Sequence, residues 1–483
     1  MTIFPIEPLR QAFLAIPEQQ YQSGDKPIDM QYFYVPASHT RALHPDNMLV
    51  EGIRGSGKSE WWIELQDSER LKLAADLSPR TELSNIQCSA GFGQTPSDNY
   101  PNKRTLAQLL KKTDAQTIWY SIVAWNVLKE EHFGILKDST WQEKIDYFKD
   151  NSEKLDKRLV EFDKALYQDN KKYLVLFDAL DRTADDWKSL KDLFKGLLQV
   201  SLEFRSFKAI RLKIFVRPDM LEDPYVYSFP DGSKIIANKF SLEWNKLELF
   251  NLLWQYLGNA TTGGKEFREG CRQHFNQRWQ KHTSFNVWII PEGMRKDEDI
   301  QKNIFHALAG QWMGTNNKNG YTYTWLPNHL GDSHGQVSPR SFLAALREAA
   351  TANLVKDQEY PLHYQAIKEG IKKASQIRVN ELKEDYRWID FLIKPLKDTN
   401  VPFTFSAIEQ IWTELDIKHD LENINNDGVR LPPSRLEQGY SGIKQDLIDL
   451  GIFQQMRDGK INMPDVYRVG YGLGRKGGVK PVR

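Results

Sequence analysis

The sequence predicts an α/β chain: a parallel sheet layered between helices, then a helical lid and a C-terminal winged-helix-like module. Three observations carry the sheet. Residues 52–59 read Gly-Ile-Arg-Gly-Ser-Gly-Lys-Ser behind the apolar stub Met48-Leu49-Val50. Residues 173–181, Tyr-Leu-Val-Leu-Phe-Asp-Ala-Leu-Asp, form an apolar run of strand length that ends in carboxylates. Strand-like runs alternate with long helical patterns up to about residue 240, as in parallel αβα layers.

The first motif is a complete G-x-x-x-x-G-K-S phosphate loop, which makes the expected sheet that of a P-loop NTPase. Gly52 and Gly57 let the backbone curl so that successive N–H groups point at phosphate oxygens. Gly52, Ile53, Arg54, Gly55, Ser56, Gly57, Lys58 and Ser59 are thus the expected nucleotide-binding residues. Lys58 reaches the β- and γ-phosphates, and the Ser59 hydroxyl ligates Mg²⁺. About 120 residues later the second motif places Asp178 at the carboxyl end of a buried parallel strand, where it holds Mg²⁺. Asp181 either orients the attacking water or caps the following helix. Both motifs stand in the order an ATP·Mg²⁺ site requires.

Further along, Trp187, Leu190, Phe194, Leu197 and Phe204 recur at helical spacing over 185–206. Ile210 to Val216 reads as a strand stopped by Pro218, with Arg217 at its end. Residues 83–92 read as another strand and 104–168 as largely helical. Ligands in open α/β sheets bind beyond the carboxyl ends of the strands, so Ser59, Asp178, Asp181 and Arg217 converge on one place. Arg217 there either compensates γ-phosphate charge or forms a strand-end ion pair.

Three regions are expected: 1–240, a P-loop domain whose first 45 or so residues wrap it; 241–396, a helical lid; and 397–483. In the lid, Leu242-Glu243-Trp244 opens a helix running to Leu257, and 264–314 is helical. Ser338 caps a helix with Pro339 in its first turn, and 362–394 forms one long helix. In the last region Ser406-Ala407-Ile408-Glu409 reads as a capping box. A disordered-looking stretch, 423–433, precedes a helix over 442–450. Residues 453–463 alternate around Asp458-Gly459 as a hairpin. A basic tail, Gly472 to Arg483, ends the chain.

Composition excludes several classes. A net charge of +1 over 483 residues announces neither nucleic acid nor membrane. Cys88 and Cys271, far apart, fit neither a disulfide framework nor a zinc cluster. There is no run of ~18 apolar residues and no basic–apolar leader, so a cytoplasmic protein is expected.

Leu176-Phe177-Asp178-Ala179-Leu180-Asp181-Arg182 resembles the carboxylate motif of STAND signalling ATPases and KAP-type P-loop ATPases, relatives of the AAA+ group. Phe215-Val216-Arg217-Pro218 resembles the STAND sensor-1 turn, whose arginine faces the γ-phosphate. Leu242-Glu243-Trp244 resembles the start of an AAA+/STAND lid, and Ser338-Pro339-Arg340 the sensor-2 arginine a lid places over nucleotide. The resemblance implies that Lys58, Asp181 and Arg217 act in ATP hydrolysis, that Arg340 senses nucleotide, and that the chain is a regulatory or switch subunit. It further implies protein partners, homo-oligomers and a bacterial anti-phage defence setting, with Arg182 and Arg54 as trans-acting candidates. The chain departs from the pattern where Asp181 replaces the usual Glu and where no repeat array follows. Two rival readings remain. One is a DNA-binding replication or partition ATPase resembling origin-recognition proteins, with Lys444, Arg457, Lys460 and the tail on phosphates. The other is a nucleotide-gated scaffold that hardly hydrolyses ATP.

Overall fold

The computed structural model describes residues 3–18, 27–132, 134–352, 359–426 and 431–475. Among these, one compact unit spans Ala37–Glu243, and a second joins 3–18 and Ile28–Pro36 to the chain from Trp244 onward.

The first unit is built on five strands: β1 (Leu49–Glu51), β2 (Ile86–Phe92), β3 (Lys172–Phe177), β4 (Ile210–Val216) and β5 (Phe240–Ser241), in the order β2-β3-β4-β1-β5. Every pairing is parallel. Leu174, Val175, Leu176 and Phe177 are fully buried, which explains why this strand reads as a continuous apolar run rather than an alternating one. Ile214 of β4 pairs with Phe177 on one side and Leu49 on the other, so β3 ends level with the start of β1. β2 begins three residues later than its pattern suggests, and the two-residue β5 carries too little sequence to announce itself.

Trp187–Phe204 lies against the sheet on the face its spacing predicts, with Leu190, Phe194, Leu197 and Phe204 buried. It packs with the helix Ala115–His132, whose Trp119 indole N–H donates to the Leu193 carbonyl at 2.7 Å. The same indole meets Phe177 edge-on, with centroids 5.6 Å apart. Two buried charges tie loops to β4. Asp163 accepts the backbone N–H groups of Lys208, Ala209 and Ile210 at 3.0, 2.7 and 3.0 Å. Lys213 donates from Nζ to the carbonyls of Ala42, His44 and Asn47 at 2.8, 3.0 and 2.7 Å. Burial lowers this ammonium to about 7, while three acceptors match its three donors.

The second unit is helical. Lys246–Asn259 runs through its core, with Phe250 stacked on Tyr323 at 4.2 Å. The leading residues differ from expectation. Phe4, Leu9, Ala12 and Phe13 of the segment around the Ile6–Leu14 helix belong to this core and not to a wrap around the sheet. They are apolar at helical spacing, and the lid helices offer the partner surface. Residues 264–314 are also only partly helical: the strands Gln280–Lys281 and Trp288–Ile289 pair antiparallel between Gly264–Phe275 and Glu292–Lys296.

Tyr364–Asp385 and Arg387–Ile393 replace the single long helix expected over 362–394. The break is at Tyr386, whose ψ of 76° cannot continue a helix. Tyr364–Asp385 packs against both Pro339–Thr351 and Asp465–Tyr471. The terminal module follows the order helix, helix, helix, hairpin: Phe405–Glu414, Ile417–Asn426 and Gly439–Asp449, then Gln454–Gln455 antiparallel to Ile461–Asn462. It is a winged-helix-like arrangement, completed by Gly474–Arg475 parallel to Asn400–Val401. Its first helix is capped by Thr404, which accepts from the Ala407 N–H, and not by the box expected at Ser406. Residues 427–430 of the disordered-looking stretch and 476–483 of the basic tail lie outside the described residues.

The packing of Ala115–His132 on Trp187–Phe204 depends on Gly196. A Cβ there would lie 2.6 Å from Ala115 Cβ and 2.7 Å from its carbonyl carbon. Gly196→Ala would add about 1 kcal/mol of helix propensity, but overpacking against backbone costs about 1–3 kcal/mol. We expect net destabilisation, read as a lower denaturant midpoint; a higher midpoint would show that the two helices separate freely.

Candidate functional site

The loop after β1 is shaped by two glycines. A Cβ at Gly52 would meet Ser56 Oγ at 2.3 Å, and Gly57, at φ 103°, opens the helix Lys58–Glu64 from the left-handed region. The Gly52 N–H donates to Val216 O at 3.1 Å, tying the loop to the end of β4. Lys58 folds back over the loop and donates from Nζ to the carbonyls of Gly52 and Ile53 at 2.6 and 3.0 Å. Desolvation lowers its pKa to about 8, opposed first by Asp178.

Asp178 follows β3 directly and is buried; its backbone N–H donates to Phe92 O at 3.1 Å. Burial raises its carboxyl above the ordinary range, while a hydrogen bond from the Ser59 hydroxyl and the charge of Lys58 pull the other way. Serine and aspartate from separate sequence motifs therefore meet, and their hard oxygen donors suit Mg²⁺. No cluster of three or more His, Cys, Asp or Glu among the described residues is placed to hold a metal without such help.

Asp181 sits in the short turn Leu180–Arg182, with its side chain 31% exposed. Capping of the next helix falls instead to Asp186, which accepts the Ser189 N–H at 2.8 Å. Asp181 faces Arg217, whose Nη1 lies 3.9 Å from its Oδ2. Arg217 is itself gripped by Asp219: Nε donates to Oδ1 at 3.0 Å and Nη2 to Oδ2 at 3.2 Å. Asp219 is the residue that sequence reasoning missed; the Arg-Pro-Asp spacing held the only signal.

The structure thus brings Lys58, Ser59, Asp178, Asp181 and Arg217 to the carboxyl ends of β1, β3 and β4. Ile53, Arg54, Gly55 and Ser56 complete the loop, and Arg182 is exposed. Arg340 belongs to the helical unit, second in the helix Pro339–Thr351, where Nη1 donates to Glu381 Oε1 at 2.6 Å. Ser338 occupies the cap position, but its side chain makes no capping hydrogen bond, contrary to expectation. Of the cations expected on DNA, Lys444 lies 4.8 Å over the Phe405 ring and Lys460 pairs with Asp458 at 2.9 Å. Among the described residues no helix is long and apolar enough to cross a membrane.

No family profile matches the chain, and no curated protein does. Solved structures similar to it include two from archaea. One is Cdc6p from Pyrobaculum aerophilum, at 12% identity and a TM-score of 0.28, covering 86% of this chain and 83% of that one. The other is the ORC2 protein of Aeropyrum pernix in ADPNP–ADP complexes, at 12% identity and a TM-score of 0.39, covering 91% and 94%. Likenesses this loose establish neither a shared family nor a shared role.

Lys58 gives the site a pH signature. With no phosphate bound it titrates at about 8, and phosphate contact raises that value by stabilising the charged form. Nucleotide affinity should therefore be fully present below about pH 8 and fall as pH rises toward the bound-state pKa. At about pH 8.5, binding should take up roughly three-quarters of a proton. Calorimetry in buffers of different ionisation enthalpy reads this uptake; Lys58→Arg should show none, and a wild type showing none would refute the assignment.

Proposed function

We propose that the protein is an ATP-binding, ATP-hydrolysing switch of the P-loop type. The observation that carries this reading is Lys58 donating to the Gly52 and Ile53 carbonyls of its own loop, with the buried Asp178 at the end of β3 acting on it and on Ser59. Lys58 leaves those carbonyls for the β- and γ-phosphates, and the loop N–H groups hold the remaining oxygens. Ser59 and Asp178 would hold Mg²⁺, which when bound neutralises charge on the phosphates. Asp181 orients the attacking water, and Arg217 compensates charge beside it. The chain from 241 to 396 serves as lid and 397–483 as terminal module. In this reading Arg340 exchanges Glu381 for nucleotide when the lid closes. The defence-system setting rests on the motif resemblance alone.

A set of variants separates these roles. ATP at about 100 times its dissociation constant should stabilise wild type by roughly 2.7 kcal/mol, and Lys58→Ala should abolish that thermal shift. Asp181→Asn should keep ATP affinity while turnover falls at least about 100-fold; unchanged turnover would remove Asp181 from the mechanism. Asp178→Ala should weaken Mg²⁺-dependent binding. Arg340→Ala should narrow the difference in amide exchange that ATP and ADP produce over 242–350; an unchanged difference would leave Arg340 a structural ion-pair residue.

The helix–helix–helix–hairpin order of the terminal module favours a second reading, a DNA-binding ATPase. DNA affinity should then fall steeply with salt, by a log–log slope of about −0.9 per phosphate contact. Affinity indifferent to salt would favour a protein partner at this module.

A further inference from the structure

We infer that Asp219 is a positioning residue that aims Arg217 for an exchange of partners, from Asp181 to the terminal phosphate of a bound nucleoside triphosphate. The inference rests on the nucleotide-site reading above and adds to it a residue and a coupling.

The local chain makes the grip. A residue preceding proline is driven to extended backbone, and Arg217 has φ −87° and ψ 147°. Pro218 then starts the short helical turn Pro218–Leu221. This turn carries the Asp219 carboxylate back beside the guanidinium two residues earlier. Both side chains are nearly buried, at 11% and 9% exposure. The carboxylate engages Nε and Nη2 in the two-pronged geometry that fixes the plane of a guanidinium as well as its position. With that edge held, Nη1 is directed toward Asp181.

At 3.9 Å, the Arg217–Asp181 pair attracts but is too long for a hydrogen bond. It is the weaker of the two contacts described for this guanidinium, so an incoming anion would displace Asp181 before Asp219. Arg217 and Asp181 also act electrostatically on Lys58, together with Asp178 and Asp219, so a phosphate held by Lys58 enters the field of all four. When the terminal phosphate takes Nη1, the charge of Arg217 no longer draws Asp181 toward it, and the carboxylate turns to the attacking water. A diphosphate leaves Asp181 on the arginine. The water-orienting residue is thereby engaged only when there is a bond to hydrolyse.

The test compares ATP and ADP affinities, by titration calorimetry on the full chain, with single-turnover hydrolysis. Asp219→Ala should lower the ATP-over-ADP preference and the single-turnover rate by about 10-fold each, while ADP affinity stays within about 2-fold. Asp219→Asn, which keeps an acceptor without the charge, should fall between Asp219→Ala and wild type, and it serves where the alanine variant folds poorly. Asp219→Ala added to Arg217→Ala should change nothing further, since the aspartate acts through the arginine. An unaltered preference in both Asp219 variants, or additive losses in the double variant, would overturn the inference while leaving the nucleotide site standing. A wild type that binds neither ATP nor ADP would overturn both.

Discussion

Everything at this site depends on the register across β3, β4 and β1. Phe177, Ile214 and Leu49 lie side by side, so the three strands reach their carboxyl ends at different heights. β3 stops there and delivers Asp178 low, where the Ser59 hydroxyl meets it. β1 and β4 continue through the pair Glu51–Val216, which lifts the phosphate loop and Arg217 higher. The turn after β3 then raises Asp181 toward Arg217. A one-residue slip would exchange the faces of a whole strand and put Asp178 out of reach of Ser59. Buried apolar strands such as Leu174–Phe177 hold that register, because neither face can turn to water.

Charge is the second constraint. Lys58 and Arg217 stand among Asp178, Asp181 and Asp219, so the cluster carries more formal negative than positive charge before any ligand arrives. A nucleotide would bring further negative charge, and a phosphate bound there would need every cation the site can present. The folded-back Lys58 meets this need economically. Its carbonyl partners are neutral and weakly held compared with a phosphate, so the ammonium transfers without leaving a buried charge behind. Asp178 is pushed up by burial, while Ser59 and Lys58 pull the other way, and a divalent cation held by Asp178 would favour its charged form.

What the sequence made legible is what short stretches encode. The phosphate loop and the Asp178 strand are contiguous motifs, and the helix over 187–204 announces itself by spacing. Asp219 stayed hidden because its partner is chosen by a turn, and a lone aspartate after proline usually signifies nothing more. Asp181 could not be resolved from a helix cap until Asp186 proved to make that contact. Asp163 and Lys213 read as ordinary surface charges, since nothing local shows that distant backbone groups need them. The leading residues were misplaced for a related reason: Phe4, Leu9 and Phe13 mark an apolar face, but only tertiary packing decides which core receives it.

The helical unit sets a condition on any switch that uses Arg340. Glu381 holds Arg340 through Oε1 and lies 3.5 Å from Arg378 through Oε2, and Arg378 in turn sits 5.9 Å over the Tyr467 ring of the last helix. Glu381 and Arg378 are largely buried, and removing one partner from a buried ion pair costs about 3–5 kcal/mol. Arg340 is more exposed than either, so its departure costs less, and Glu381 retains Arg378 when it goes. The network therefore grades its members: the outer arginine can exchange, whereas the inner one anchors Tyr364–Asp385 to the terminal helix. A ligand shifts such an equilibrium only by its differential affinity for the two states. A ligand that drew Arg340 away would therefore have to exceed its contact with Glu381.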